Sequence, residues 1–330
     1  TDAGVELWLS TTLIYQQNVR GGISKHRRAG RLSGSYDLEL EASLEKLFGM
    51  PAARVYMLTE GSFSDGIDSP SVGSFFGVNG DAVGYRSMDI TELWFEQAFV
   101  DETLYLRIGK MDLTGGFDCH GCPVAFDTSA YANDETTQFL NNALINNPTI
   151  PFPEYGLGVT IFYNPVAFWY ISAAVADAQA DIRETGFKTT FCGEDYFFYI
   201  IETGLTPQFL SAKGPLQGAY RVGLWYDPQP KANSDYAVAG KSYRDDIGFY
   251  LSCDQMLIKE NNDSQDSQGL GCFLRYGYAN STRNDVSNFW SVGFQYQGLI
   301  EGRDDDVLGL GFAQGFFSDK ASSTYTDDYE

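Results

Sequence analysis

The 330-residue chain has no long hydrophobic run. Its longest mostly apolar segment, Val166 to Ala176, falls far short of the roughly 20 residues a membrane-spanning helix needs, and mean hydropathy is slightly negative. This excludes helical membrane proteins and nothing more, because barrel strands alternate and a sliding window averages their signal away. Basic residues are scarce, 22 against 44 acidic, and the net charge of -22 argues against nucleic acid as a partner. There are two histidines and no nucleophile elbow, Walker loop, HExxH or EF-hand spacing, so neither an enzyme nor a metal or cofactor site is expected. No Ser/Pro-rich linker, heptad or solenoid repeat divides the chain, which points to one domain over residues 1–330. The opening at Thr1, without Met or signal peptide, implies that the beginning has been removed.

What the chain does have is a rhythm of about thirteen stretches, each close to ten residues, in which apolar residues alternate with small or polar ones. Tyr36, Leu38, Leu40, Ala42 and Leu44 share one parity, and Asp37, Glu39, Glu41, Ser43 and Glu45 the other. Successive strand side chains point to opposite faces, so such a ribbon has one oily and one wet side. In 306–317, Leu308, Leu310, Phe312 and Phe316 face away from Gly309, Gly311, Ala313 and Gly315, which leave room on an inner wall. The expected strands are 5–17, 31–47, 53–64, 85–99, 103–112, 155–163, 167–176, 194–206, 215–226, 243–257, 269–279, 287–298 and 306–317. Connections alternate between short (49–52, 100–102, 164–166) and long (65–84, 113–154, 177–193), as in an outer-membrane barrel. Aromatics such as Tyr15, Trp94, Phe95, Phe99, Tyr163, Phe168, Trp169 and Tyr170 lie near strand ends, where interfacial girdles would sit.

The fold class expected is therefore all-β, a transmembrane antiparallel barrel. An odd strand count is unusual for such a barrel, and the sequence stops in the loop-like run Asp327 to Glu330, so further C-terminal strands are expected. Residues 113–154 form the longest connection, with a helix-like stretch at 134–145, and the useful place for it is inside the pore. Cys119 and Cys122 have the spacing of a loop-stapling disulfide, a pair of free thiols or half a metal site. Cys253 and Cys272, symmetric about a turn at 258–267, are placed to form a disulfide across a hairpin or to be two small apolar residues on the lipid side; Cys192 has no evident partner.

Ordered segments along nearly the whole chain resemble the carbohydrate-selective porin (OprB) family. They are GSYDL at 34–38, LEKLFG at 44–49, ELWFEQ at 92–97, LRIGKMDL at 106–113, FLN at 139–141, GFYL at 248–251 with DQM at 254–256, and GLIEGRDDDVLGLG at 298–311. The resemblance implies a sixteen-stranded bacterial outer-membrane channel for sugars and other small hydrophilic solutes, about thirteen strands of which lie here, with a trimer as an oligomeric form. The five cysteines depart from that family's habit.

Strand parity places Trp8, Asp37, Glu39, Glu41, Arg86, Glu92, Trp94, Glu96, Tyr105, Arg107, Arg221, Trp225 and Arg275 toward the lumen. Aromatic faces would stack on sugar rings while carboxylates and guanidiniums bond hydroxyls, and opposed charges would select ions and solutes. Glu92, Glu96, Arg107 and Arg221 are expected at the constriction, with Trp8, Trp94 and Trp225 as stacking platforms. The partners expected are small saccharides, ions and outer-membrane lipid. The alternative is a structural, coat-forming surface barrel whose pore is occluded by residues 113–154.

Overall fold

The structure, a computed structural model, describes residues 3–114, 121–134, 137, 139–181, 188–191, 193–232, 242–262 and 267–318. Its strands are β1 Val5–Gln17, β2 Gly30–Ser43, β3 Ala53–Phe63, β4 Arg86–Phe99, β5 Leu104–Met111, β6 Gly156–Val166, β7 Trp169–Asp177 and β8 Phe197–Leu205. They continue as β9 Gln208–Ser211, β10 Gly214–Asp227, β11 Lys231–Ala232, β12 Ser242–Tyr243, β13 Asp246–Lys259, β14 Gly269–Tyr278, β15 Val286–Gln297 and β16 Val307–Phe317. One antiparallel sheet runs β1-β2-β3-β4-β5-β6-β7-β8-β10-β13-β14-β15-β16, with β9 pairing β10, while β11 and β12 form a separate two-stranded ribbon. Each expected strand maps onto one strand of that path. Among the described residues β1 and β16 are not paired with each other.

Register explains why alternation was a reliable signal. Leu7, Leu9 and Leu13 of β1 lie opposite Leu40, Leu38 and Gly34 of β2, and Glu6, Trp8 and Ser10 lie opposite Glu41, Glu39 and Asp37. The first set faces outward: Leu9 is 76% exposed and Leu310, at the other end of the sheet, 62%. Leu224, Leu251, Leu274 and Phe294 continue this outer apolar surface across the intervening strands. An exposed patch of this extent is stable only against lipid or a partner.

Two elements depart from the sequence expectation. Strand β2 ends at Ser43, not Leu47, because Ser43 caps the short helix α1, Leu44–Phe48, by accepting from Lys46 N, and Gly49 closes it at φ 71°. The helix expected over 134–145 is a single turn, α2 Asn142–Ile145, capped by Asn141. Asn133 and Thr137 instead bond each other and nearby backbone, a local alternative to helix.

Of the aromatics expected in girdles, Tyr15, Phe99, Tyr163, Phe168 and Trp169 are exposed and Phe95 is half-buried on the outer face, but Trp94 and Tyr170 are buried on the inner face. Of the two readings of Cys253 and Cys272, the structure fits the outer-face one and not the bridge. Cys253 lies opposite Leu274 and Cys272 opposite Gln255, and both are free thiols on the outer face. Such diagonal neighbours lie about 7–8 Å apart, beyond disulfide reach. Cys122 is disulfide-bonded; Cys119 and Cys192 lie outside the described residues.

Candidate functional site

On β8, β13 and β14, buried charged side chains bond the long connection 112–155 to the inner wall. Arg275 on β14 donates to the carbonyls of Asp127 (3.1 Å), Ala132 (3.0 Å) and Leu144. Glu202 on β8 accepts from the backbone N–H groups of Phe126 (3.0 Å) and Asp127 (2.9 Å), and from the hydroxyls of Tyr170 (2.6 Å) and Tyr250 (2.9 Å). Asp254 on β13 accepts from Ala130 N at 3.0 Å and from the Ser129 hydroxyl, and pairs with Arg221 at 2.8 Å. These side chains satisfy loop backbone that would otherwise be stranded away from water.

Wall glycines make room for the loop's apolar residues. A Cβ at Gly309 would meet the Phe139 ring at 2.5 Å, one at Gly311 would meet Leu144 at 2.8 Å, and one at Gly271 would strike the Tyr131 ring. Phe139, Ile145, Ala132 and Phe273 form one dry cluster there. A larger one joins Phe126, Ile150 and Leu113 to Tyr56, Trp94, Tyr170, Phe198, Trp225 and Tyr250.

On β2 to β5 the charges form a chain. Arg54 bridges Glu41 at 3.1 Å and Glu96 at 2.8 Å, and Glu96 also binds Arg107 at 3.0 Å. Both guanidiniums donate to Cys122 Sγ, at 3.2 and 2.8 Å. Trp94 stacks on Tyr56 with centroids 4.8 Å apart, and the Arg107 guanidinium lies 3.9 Å from the Trp94 ring centre. Strands β3 and β5 flank β4 on opposite sides, so both faces of the indole are covered. Trp225 is likewise buried, stacked on Phe198 with Lys231 over its ring. Neither tryptophan has a free face for a sugar ring, which corrects the expectation of stacking platforms there.

All thirteen expected residues lie on the inner face, where two bulges between β3 and β4 return Arg86 to the same side as Glu92. They separate into two groups. Glu92, Trp94, Glu96, Arg107, Arg221, Trp225 and Arg275 are buried behind the loop; Trp8, Asp37, Glu39, Glu41, Arg86 and Tyr105 are half-buried. Glu202 and Asp254 were missed, although they share parity with Arg221 and Arg275 in register. A carboxylate among inner-face glycines such as Gly204 and Gly223 was the available signal.

Between the loop and the β2 to β4 wall lies a cavity of about 390 Å³. Its lining includes the carboxylates of Glu60, Asp81, Asp112, Asp134 and Glu154 against the guanidiniums of Arg86 and Arg275, with Ser35, Ser62 and Tyr155. Burial pushes Asp81 up to about 6, opposed by a hydrogen bond from Ser35 and reinforced by Asp37 and Asp134. Burial likewise raises Asp112 and Asp134 above the usual carboxylate range. Among the described residues no group of three or more His, Cys, Asp or Glu is arranged to hold a metal ion.

A sequence model described as "Carbohydrate-selective porin, OprB family" matches residues 27–328. Porin B of Pseudomonas aeruginosa is 23% identical over 318 residues, 90% of this chain and 66% of that protein. The chain spans between about half and two thirds of the length of the curated relatives it matches. A structure titled "High pH structure of Pseudomonas putida OprB" superposes with a TM-score of 0.81 at 18% identity, covering 99% of this chain and 81% of that one. Its low-pH counterpart gives 0.55 at 16% identity, covering 95% and 78%. At these identities the likeness establishes a shared fold.

Proposed function

We propose, from the premise that this chain belongs to the carbohydrate-selective porin OprB family, that it contributes to an outer-membrane channel for passive diffusion of sugars and other small hydrophilic solutes. Membership implies a channel rather than an enzyme. The observation that carries the reading is the division of one sheet into an oily outer face and a charged inner face, with a polar cavity left open beside an inward-folded loop. In this reading residues 1–330 are one barrel domain and residues 113–154 its constriction.

Solutes pass on the β2 to β4 side. Asp37, Glu39, Glu41 and Arg86 on the wall, Glu60 and Asp81 nearby, and Asp134 and Glu154 on the loop form the solvated lining, with carboxylates and Arg86 bonding sugar hydroxyls. Trp8, half-buried on the inner face of β1, is the remaining candidate for a stacking platform. The buried group from Glu92 to Trp225 acts one layer back and, with Arg275 at the cavity edge, sets where the loop stands. An acidic lining favours cations over anions among charged solutes.

The test is single-channel recording of the full chain in planar bilayers with graded saccharides. Conductance that falls as small sugars are added and recovers with sugars too large to enter supports the reading. Absence of conductance in repeated reconstitutions refutes it and favours the occluded, structural alternative.

A further inference from the structure

The connection 18–29, on the rim of long connections, reverses the chain's charge. Arg20, Lys25, Arg27, Arg28 and Arg31 place five of 22 basic residues, together with His26, within residues 20–31, and residues 18–31 contain no acid. Arg31 pairs with Asp65. Arg20, Lys25, Arg27 and Arg28 are exposed and in no ion pair among the described residues.

The segment is held in place. Ile23 N donates to Val72 O at 3.3 Å and Ser24 N to Ser71 O at 3.0 Å, while the Ser71 hydroxyl returns to Ser24 O at 2.6 Å. Asn18 Nδ2 reaches Ser71 O at 3.0 Å, and Arg27 N donates to Ser24 Oγ at 3.0 Å. These bonds use the side toward connection 64–85. Apolar residues continue up to the cations: Leu13 and Tyr15 on the outer face of β1, then Val19, 80% exposed, and Ile23, 67% exposed.

We propose that residues 18–31 dock phosphate-bearing lipid headgroups of the leaflet on the long-connection side. The outer face of β1 must end at a membrane boundary if the sheet spans one, and exposed Val19 and Ile23 extend it into the interface while four unpaired cations stand just beyond. Apolar anchors beneath a cluster of Lys and Arg are what a headgroup layer selects for. The chain elsewhere is strongly acidic, so anions are attracted at this place and repelled around it. This rests on the membrane-spanning reading above, and the two are tested separately.

The full chain in a zwitterionic detergent is titrated with phosphatidic acid or phosphatidylcholine, with bound lipid counted by native mass spectrometry. The expected result is retention of phosphatidic acid over phosphatidylcholine by about tenfold or more, abolished by 0.5 M salt. The variant R20Q/K25Q/R27Q/R28Q loses that preference; K213Q/R303Q, on the opposite rim, keeps it. Conductance of both variants in pure phosphatidylcholine bilayers matches the parent and reports the channel independently. Equal phosphatidic acid binding by the quadruple variant overturns the proposal. Displacement of the lipid by millimolar inorganic phosphate overturns it in favour of a free-anion site. Dimers that dissociate in the quadruple variant, without lipid preference in the parent, reassign the patch to the acidic surface of a second copy.

Discussion

Along β14 and β16 the inner face carries Gly271, Gly277, Gly309 and Gly311, whereas along β2 and β3 it carries Asp37, Glu39, Glu41 and Glu60. The glycine side is filled by Tyr131, Phe139, Leu144 and Thr149 from the long connection, whereas on the acidic side Ser35 and Glu60 line the open cavity and Asp37, Glu39 and Glu41 are half-buried. Both are made of the same alternating strand. The difference is what stands at the inward positions: absent side chains admit apolar groups of the loop, while carboxylates keep water because burying them unpaired is costly. One sheet thus has a dry half that positions the loop and, in the channel proposed above, a wet half left open to solute.

The sharpest way to break this comparison is to release the loop from the dry side. Arg275→Ala leaves three loop carbonyls and the nearby Asp127 carboxylate without their cation, at a cost of about 3–5 kcal/mol. Thermal unfolding should fall accordingly and conductance rise as the loop leaves the wall; an unchanged conductance would mean the loop does not set the passage. Gly309→Val, which pushes Phe139 off the wall, should cost about 1–3 kcal/mol and raise conductance in the same direction.

On the wet side Asp81→Asn should raise stability modestly at pH 8, where it removes a partly buried ionised carboxylate, and alter selectivity. The Asp81 carboxyl, raised to about 6, is ionised at pH 8 and largely neutral at pH 5, so cation preference should decline as pH falls through 6. The variant should show a weaker step in reversal-potential measurements, and a step of parental size would remove Asp81 from the lining. The same shift means that folding binds this proton, so its contribution to stability increases as pH falls from about 6 toward 4. The smallest effect is expected outside both halves: Cys253→Ser and Cys272→Ser should each change stability by under about 1 kcal/mol. Thiol counting on the unreduced parent should find both free.

The strands were legible because lipid on one face and water on the other forces alternation at every position, and an error of one residue inverts a whole strand. The docking of the loop was not, since Glu202 and Asp254 hold backbone groups 76 and 124 residues away, and no local pattern marks a carboxylate that will meet a distant N–H. The glycines of β16 were legible as room but not as room for Phe139 and Leu144. Trp94 and Trp225 were placed on the correct face and given the wrong neighbours. Alternation reports which side a ring is on; it says nothing about the arginine or tyrosine that covers it. The sequence left Cys253 and Cys272 open between a bridge and two outer-face thiols because symmetry about a turn does not fix register.

The most direct test of the division is thiol accessibility during conduction. In a Cys253→Ser, Cys272→Ser background, Ser35→Cys places a thiol on the cavity and Ser291→Cys places one on the inner face of β15, where Ser291 is fully buried. A charged, water-soluble thiol reagent should reduce current through the first within minutes and leave the second unaltered. Equal block at both positions, or block at Ser291→Cys alone, would contradict a lumen that is wet along β2 to β4 and dry behind the loop.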